Sequence, residues 1–138
     1  VRPHTIVIAS PHSLRLQNNI AIVTAENSTG QLKGSGEGMV KLSLRCDREF
    51  AQDLLEESTR KGLPVVGANY GTAEGRASDM PMDWGTLVPM WFVAKEERVR
   101  AWTVIVTPSR EIPLSENISF GMAVARMAEE QEAGRVHR

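Results

Sequence analysis

A histidine at the end of the first apolar run is the residue of this sequence whose type and position best suit chemistry. Residues 5–9 read Thr-Ile-Val-Ile-Ala, which is typical of a buried β-strand, and Ser10-Pro11-His12 follows at once. In an open α/β sheet the carboxyl ends of the strands line the crevice where ligands collect. We therefore predict that His12 is a metal ligand, with a hydrogen-bonded loop histidine as an equally supported alternative.

The remaining candidates for a site are few. Asp83 and Trp84 come just before an apolar helix and could face a cavity, so we interpret them as substrate-pocket candidates. His4 precedes the first strand and His137 lies in a charged tail, and neither position suggests a site. No residue is assigned a catalytic role from the sequence.

Two further features have plainer interpretations. Cys46 stands just before a helix start, where a lowered thiol pKa is conceivable, but no histidine neighbours it and we interpret it as a structural thiol. The glycine-rich residues 34–38 lack the lysine and hydroxyl of a P-loop and the glycine spacing of a dinucleotide site, and they precede a strand. They indicate a flexible hairpin tip, and an ordinary nucleotide-binding domain lacks its fingerprint here.

Composition limits the function classes. A chain of 138 residues with 41% hydrophobic residues fits one domain, 1–138. A formal net charge of −1 gives no electrostatic case for binding nucleic acid or an anionic membrane, which leaves a small molecule as the expected partner. No apolar run has the length of a membrane span, and the single cysteine fits a reducing compartment, so we predict a cytoplasmic protein. The first residue is Val, which suggests processing or a piece of something longer.

The strand patterns predict an α/β fold of three layers. Residues 5–9, 64–67 and 102–106 are apolar on both faces, so we place them centrally in one largely parallel sheet. Residues 20–23 and 40–44 should form an antiparallel excursion, paired across a loop at residues 27–38.

Three helices are expected. Residues 48–61 follow the N-cap residue Asp47 and end at Gly62, and a second helix should start near Thr86, with Pro89 in its first turn. The third should run from the cap Ser115 to about residue 132. Its helically spaced apolar residues are Ile118, Met122, Ala125 and Ala128.

Three segments in order resemble a known family. They are the strand ending in Ser10-Pro11-His12, the block Met82-Asp83-Trp84-Gly85-Thr86-Leu87-Val88-Pro89 that continues to Phe92, and the helix at residues 115–130 with Gly121. Together they resemble the catalytic subunits of class III extradiol ring-cleaving dioxygenases, including uncharacterised bacterial branches and the Memo-like proteins. The resemblance covers nearly the whole chain.

The resemblance implies a non-haem Fe(II) held by two histidines and a carboxylate. His12 matches the second histidine ligand. The first ligand is expected upstream of Val1, and the carboxylate ligand and catalytic-base histidine are expected downstream of the chain. Asp83 matches the family block, where it should cap the following helix, whereas Trp84 replaces a histidine that stands beside the substrate in well-studied members. Tryptophan can stack on an aromatic ring but cannot shuttle protons at neutral pH.

Two functional hypotheses follow. The first is a domain or fragment of an Fe(II)-dependent extradiol dioxygenase that takes a small aromatic substrate and is inactive as an isolated chain. The second is a non-catalytic binding or interaction protein of Memo-like type on the same fold. Loss of flanking strands would leave unpaired sheet edges and uncovered apolar surface, so we also expect a homodimer or other self-association.

Overall fold

The fold is seen in a computed structural model that describes residues 3–34, 36, 38–96 and 101–136. Seven strands and three helices lie within those ranges. The strands are β1 (Thr5–Ala9), β2 (Ile20–Val23), β3 (Asn27–Lys33), β4 (Met39–Arg45), β5 (Val65–Ala68), β6 (Asp79–Pro81) and β7 (Trp102–Thr107). The helices are α1 (Arg48–Arg60), α2 (Trp84–Lys95) and α3 (Leu114–Val136).

The main sheet has four strands in the order β1-β7-β2-β5. β1 runs parallel to β7 and β2 runs parallel to β5, while β7 and β2 are antiparallel to each other. The sheet therefore consists of two pairs of parallel strands, and the two pairs run in opposite directions. This architecture, together with the three helices, confirms the predicted α/β class.

Three predicted strand positions are wrong, and one is confirmed. Residues 102–106 are central, as predicted, but residues 5–9 and 64–67 lie in the edge strands β1 and β5. Residues 20–23, predicted to form part of the excursion, are the fully buried central strand β2. β1 is only half-buried, and β5 has Val66 and Gly67 exposed. A run of apolar and β-branched residues therefore predicted a strand in each case but did not predict its position in the sheet.

A second sheet of three strands, in the order β4-β3-β6, forms the antiparallel excursion. The prediction that β4 pairs with residues 20–23 is wrong. It pairs with β3, which occupies most of the segment read from the sequence as a loop. Lys33 pairs with Met39, so residues 34–38 connect the two strands of a hairpin, although residues 35 and 37 lie outside the described ranges.

The core has two parts, one on each face of the main sheet. On one face, α1 and α3 cover the strands with a large cluster. Its buried members are Ile20, Ile22, Phe50, Ala51, Leu54, Val104, Val106, Ile112, Phe120, Ala123 and Met127. On the other face, Val23 and Ile105 pack with Ala25 and with Met80 of the second sheet. α2 packs against β3, so it belongs to this second side of the molecule.

Helices α1 and α2 begin in the same way, with an aspartate that also binds β1 or the residue after it. Asp47 accepts a hydrogen bond from the N–H of Phe50 (3.1 Å) and another from the Thr5 hydroxyl (2.6 Å) at the start of β1. Asp83 caps α2 and accepts from the hydroxyl of Ser10, just past the end of β1. The edge strand β1 is thus tied at both ends to a helix N-terminus.

The helix predictions hold in outline. α1 and its cap Asp47 are confirmed, and Gly62, with φ +75°, follows its end. The predicted cap Asp83 is confirmed as well. α2 nevertheless begins at Trp84, two residues earlier than expected, so Pro89 lies in its second turn, where it cannot donate to the carbonyl of Gly85.

The third helix corrects two expectations. It begins at Leu114, so Ser115 lies inside its first turn and is not the cap. The predicted apolar stripe faces solvent, with Ile118 and Met122 at 54% and 67% exposure, and the face packed on the core carries Phe120, Ala123 and Met127. None of the helices described is long and apolar enough to cross a membrane.

Candidate functional site

The site is built where β1 ends. The N–H of Ser10 donates to the carbonyl of Val106 at 3.0 Å, so the ladder with β7 continues one residue past the strand. Ser10 is completely buried, whereas Pro11 and His12 are exposed. The chain therefore turns outward within two residues and places the His12 imidazole at the surface beside the carboxyl end of a parallel strand pair.

Asp83 joins this turn to α2. Its Oδ2 accepts from the Ser10 hydroxyl and from the N–H of Thr86 (3.2 Å), and its Oδ1 accepts from the Thr86 hydroxyl at 2.8 Å. Ser10 Oγ in turn accepts a hydrogen bond from the N–H of His12 at 3.3 Å. One carboxylate thus holds the first turn of α2 and, through Ser10, the backbone of His12.

The rings of His12 and Trp84 stack. Their centroids lie 3.9 Å apart and their planes are inclined by 28°. Trp84 is the first residue of α2 and remains 56% exposed. We call His12 and Trp84 the ring pair. It presents an imidazole and a large aromatic surface to solvent at one place.

The structure thus brings together the three residues predicted for the site, but they have different roles. His12 and Trp84 form the surface, and Asp83 is a structural cap that points inward. Sequence reasoning missed Ser10, Gly85 and Thr86. Thr86 could have been found, because a hydroxyl three residues after an aspartate at a helix start is typical of a side-chain cap. No pattern in the sequence marks Ser10 as the partner of Asp83.

The side chains around His12 decide whether a metal ion could be held there. Among the residues that the structure describes, no three His, Cys, Asp or Glu side chains come together in a way that could hold a metal ion. His4 binds Thr5 at the other end of β1, and His137 lies outside the described ranges. Both oxygens of Asp83 already accept hydrogen bonds. His12 alone does not fit the facial triad of an Fe(II) dioxygenase.

Cys46 is a structural thiol, as predicted. Burial raises the pKa of Cys46 to about 12, and the nearby carboxylate of Asp79 contributes to the rise. The thiol is therefore protonated at neutral pH, and a thiolate nucleophile or ligand is not available at this position.

Both members of the ring pair are exposed to solvent. Two concavities, of about 670 and 500 Å³, occur elsewhere: one between α1 and α3, and one beside the start of α1 and Trp102. Neither is lined by His12, Asp83 or Trp84.

Comparison with known families decides the lineage. Residues 1–137 match the family model described as the catalytic LigB subunit of aromatic ring-opening dioxygenase. The chain belongs to this family. The match covers the chain almost from end to end, so the fold is that of this family, as the resemblance predicted.

One curated relative is much longer than this dioxygenase-like chain. The chain is similar to "Protein CA_C1420" of Clostridium acetobutylicum, with 24% identity over 128 residues. The similarity covers 93% of this chain but 27% of the relative. The chain therefore spans about a quarter of the length of the curated relative that it matches.

Proposed function

We propose that this dioxygenase-like chain contributes one wall of an aromatic-binding site, with His12 as one metal ligand and Trp84 as the stacking surface, and that it is inactive in ring cleavage by itself. The ring pair carries the proposal. It joins the imidazole that the resemblance assigns to Fe(II) with a ring that can stack on a small aromatic molecule.

The inactivity follows from the donor set. An Fe(II) site of the implied type needs two histidines and a carboxylate, and the described residues bring one imidazole to the ring pair. Asp83 is used as a cap, and Asp79 lies on β6, where one of its oxygens accepts from Thr29. The other ligands would have to come from residues beyond those described.

Metal titration tests the role of His12. We expect the purified chain to bind Fe(II) weakly or not at all under anaerobic conditions, and any weak binding to disappear in His12→Ala. His4→Ala is the matched control, because His4 is also an exposed histidine next to β1 and should leave the binding unchanged. Equal loss in both variants, or tight binding that survives His12→Ala, would contradict the assignment.

Turnover tests the inactivity. The chain is incubated with Fe(II) and protocatechuate without oxygen, oxygen is then admitted, and the yellow ring-fission product is followed by absorbance. We expect no product above a control without protein. Product formed well above that control would show that other residues complete the metal site and would overturn the proposed inactivity.

The exposure of the ring pair also supports the second hypothesis, a non-catalytic binding protein of Memo-like type. A stacking surface without a complete set of metal ligands can bind an aromatic molecule and leave it unchanged. Catechol binding followed by calorimetry separates the cases, because Trp84→Leu should weaken it by about 2–10-fold, the value of one aromatic contact. Trp91→Leu, on the same helix but half-buried, is the control. Wild-type binding without turnover favours the binding protein.

A further inference from the structure

Gly85 is an unexpected residue at its position. It is the second residue of α2, and glycine is a weaker helix former than alanine. Its φ does not lie in the left-handed region, where the positive-φ glycines are Gly62, Gly71 and Gly75. Backbone conformation therefore does not require glycine here, and another reason must be sought in the space around it.

That space is occupied by the site itself. A Cβ atom at position 85 would lie 2.5 Å from Ser10 Oγ, 2.9 Å from His12 Cδ2 and 3.0 Å from Asp83 Oδ2. All three distances are at or below what real Cβ atoms tolerate. Ser10 is fully buried and Asp83 holds three hydrogen bonds, so neither can move freely. The exposed His12 ring is the neighbour that would give way, and its displacement would break the stacking on Trp84.

Ser10 completes the arrangement from the other side. Its hydroxyl lies between the Asp83 carboxylate, to which it donates, and the N–H of His12, from which it accepts. The imidazole is thus positioned from two directions. The missing side chain at Gly85 lets the helix approach the ring, and the Ser10 hydroxyl fixes the backbone that carries the ring.

We propose that Gly85 and Ser10 are positioning residues that set the stacking of His12 on Trp84. Gly85 acts by the absence of a side chain, and Ser10 acts by linking the His12 backbone to the cap of α2. The inference rests on the proposed function for its purpose, because stacking orients the imidazole that would meet a metal. It concerns the free protein, however, and it holds or fails without any ligand.

Proton NMR of the histidine rings measures the stacking directly. The sequence has only three histidines, so His12→Ala identifies the His12 ring resonances, which the ring current of Trp84 should shift upfield. In Gly85→Ala we expect this shift and the cross-relaxation between the His12 and Trp84 ring protons to be lost. The resonances should move to the position of an unstacked histidine.

The control is Gly121→Ala, a helical glycine of α3 with no atom within 4 Å of an added Cβ. It should leave the His12 ring resonances unchanged. A general loss of stability would not reproduce the expected pattern, because the ring shift is read in variants whose backbone amide spectra show that they are folded.

Ser10→Ala provides an independent second variant. It leaves the two Thr86 bonds to Asp83 in place and removes both bonds of the Ser10 hydroxyl, so we expect a reduced ring shift. If Gly85→Ala does not fold, Ser10→Ala alone decides the question. A folded Gly85→Ala, or failing that a folded Ser10→Ala, with the wild-type His12 shift would overturn the proposal. These results do not depend on metal or catechol binding, so a failure of the proposed function is recorded separately.

Discussion

At the scale of single residues, Asp83 does more for the fold than an ordinary helix cap. Asp83→Ala removes the acceptor of Thr86 and leaves the buried hydroxyl of Ser10 without its acceptor. A lost cap costs about 0.5–2 kcal/mol and a buried unsatisfied donor about 1–3 kcal/mol, so we expect a loss of about 2–3 kcal/mol in the free energy of unfolding.

Urea denaturation measures this loss, with Asp83→Asn as the comparison. Asparagine keeps one acceptor oxygen and should retain about half of the stability that alanine loses. If both variants lose less than about 0.5 kcal/mol, the carboxylate does not have the role described for it.

Cys46 makes a prediction about reactivity. Its pKa of about 12, raised by burial and by Asp79, means that little thiolate exists at pH 8. Iodoacetamide should therefore modify the native protein far more slowly than the urea-unfolded chain, as followed by mass spectrometry. Equal rates in the two states would contradict the buried position.

The same thiol gives a pH dependence of stability. Its folded pKa is raised above the ordinary 9.0, so the folded state retains the proton longer, and the thiol's contribution is complete below pH 9 and is lost as the pH rises toward 12. The difference in unfolding free energy between the wild type and Cys46→Ala should therefore shrink across that range. A constant difference would contradict the raised pKa.

Residue type predicted only part of the site. His12, Asp83 and Trp84 stood out because each carries chemistry next to an element boundary, and their meeting was implied by the family resemblance. Ser10 and Gly85 did not stand out, because a serine at a strand end and a glycine in a helix acquire their roles only from contacts between distant parts of the sequence. The hydrogen bond from Ser10 to Asp83, for example, joins residues that are 73 positions apart. Such a contact exists only once β1 and α2 are packed together.

At the scale of elements, Gly121 offers a simple test of helix propensity. It lies exposed within α3, its φ is not in the left-handed region, and an added Cβ meets no atom within 4 Å. Gly121→Ala should stabilise the protein by up to about 1 kcal/mol, or about 3 °C in Tm, by scanning calorimetry. A lower Tm would show that an unrecognised contact exists at this face.

The periodicity of apolar residues along a helix does not decide which face is buried. α3 has an apolar stripe at Ile118 and Met122 and another at Phe120, Ala123 and Met127. The helical spacing of the first stripe did not show which of the two faces the core.

β3 was missed because its Asn-Ser-Thr-Gly composition is poor in strand formers. It is a strand because β4 and β6 pair with it on both sides. Helix α1 was predicted well because its cap, its apolar face and its stop all agree.

At the scale of the whole molecule, the exposed apolar surface predicts self-association. Leu114, Ile118 and Met122 follow one another at helical spacing on α3 and are each more than half exposed. Patches of this kind on soluble proteins mark interaction surfaces. We expect a homodimer in sedimentation velocity, weakened by Met122→Lys.

Met39→Lys is the matched control for that experiment. Met39 is also a methionine with more than half of its surface exposed, but it lies on the β3–β4 hairpin of the second sheet and not on α3, so its substitution should leave the dimer intact. A strict monomer at high protein concentration would contradict the prediction.

Side-chain hydrogen bonds at both ends of the edge strand β1 connect it to the N-termini of two helices. α1 lies on one face of the main sheet and α2 packs on the other side of the molecule, and β1 connects their N-termini through Thr5 and Ser10. An edge strand normally separates from its sheet starting at a free end, whereas both ends of β1 are held by hydrogen bonds. Thr5→Ala removes the hydrogen bond at the start of β1 and should therefore speed amide hydrogen exchange along β1 as far as Ser10, although no atom of the ring pair has been altered. A displacement of the start of α1 would then also affect the turn that carries His12.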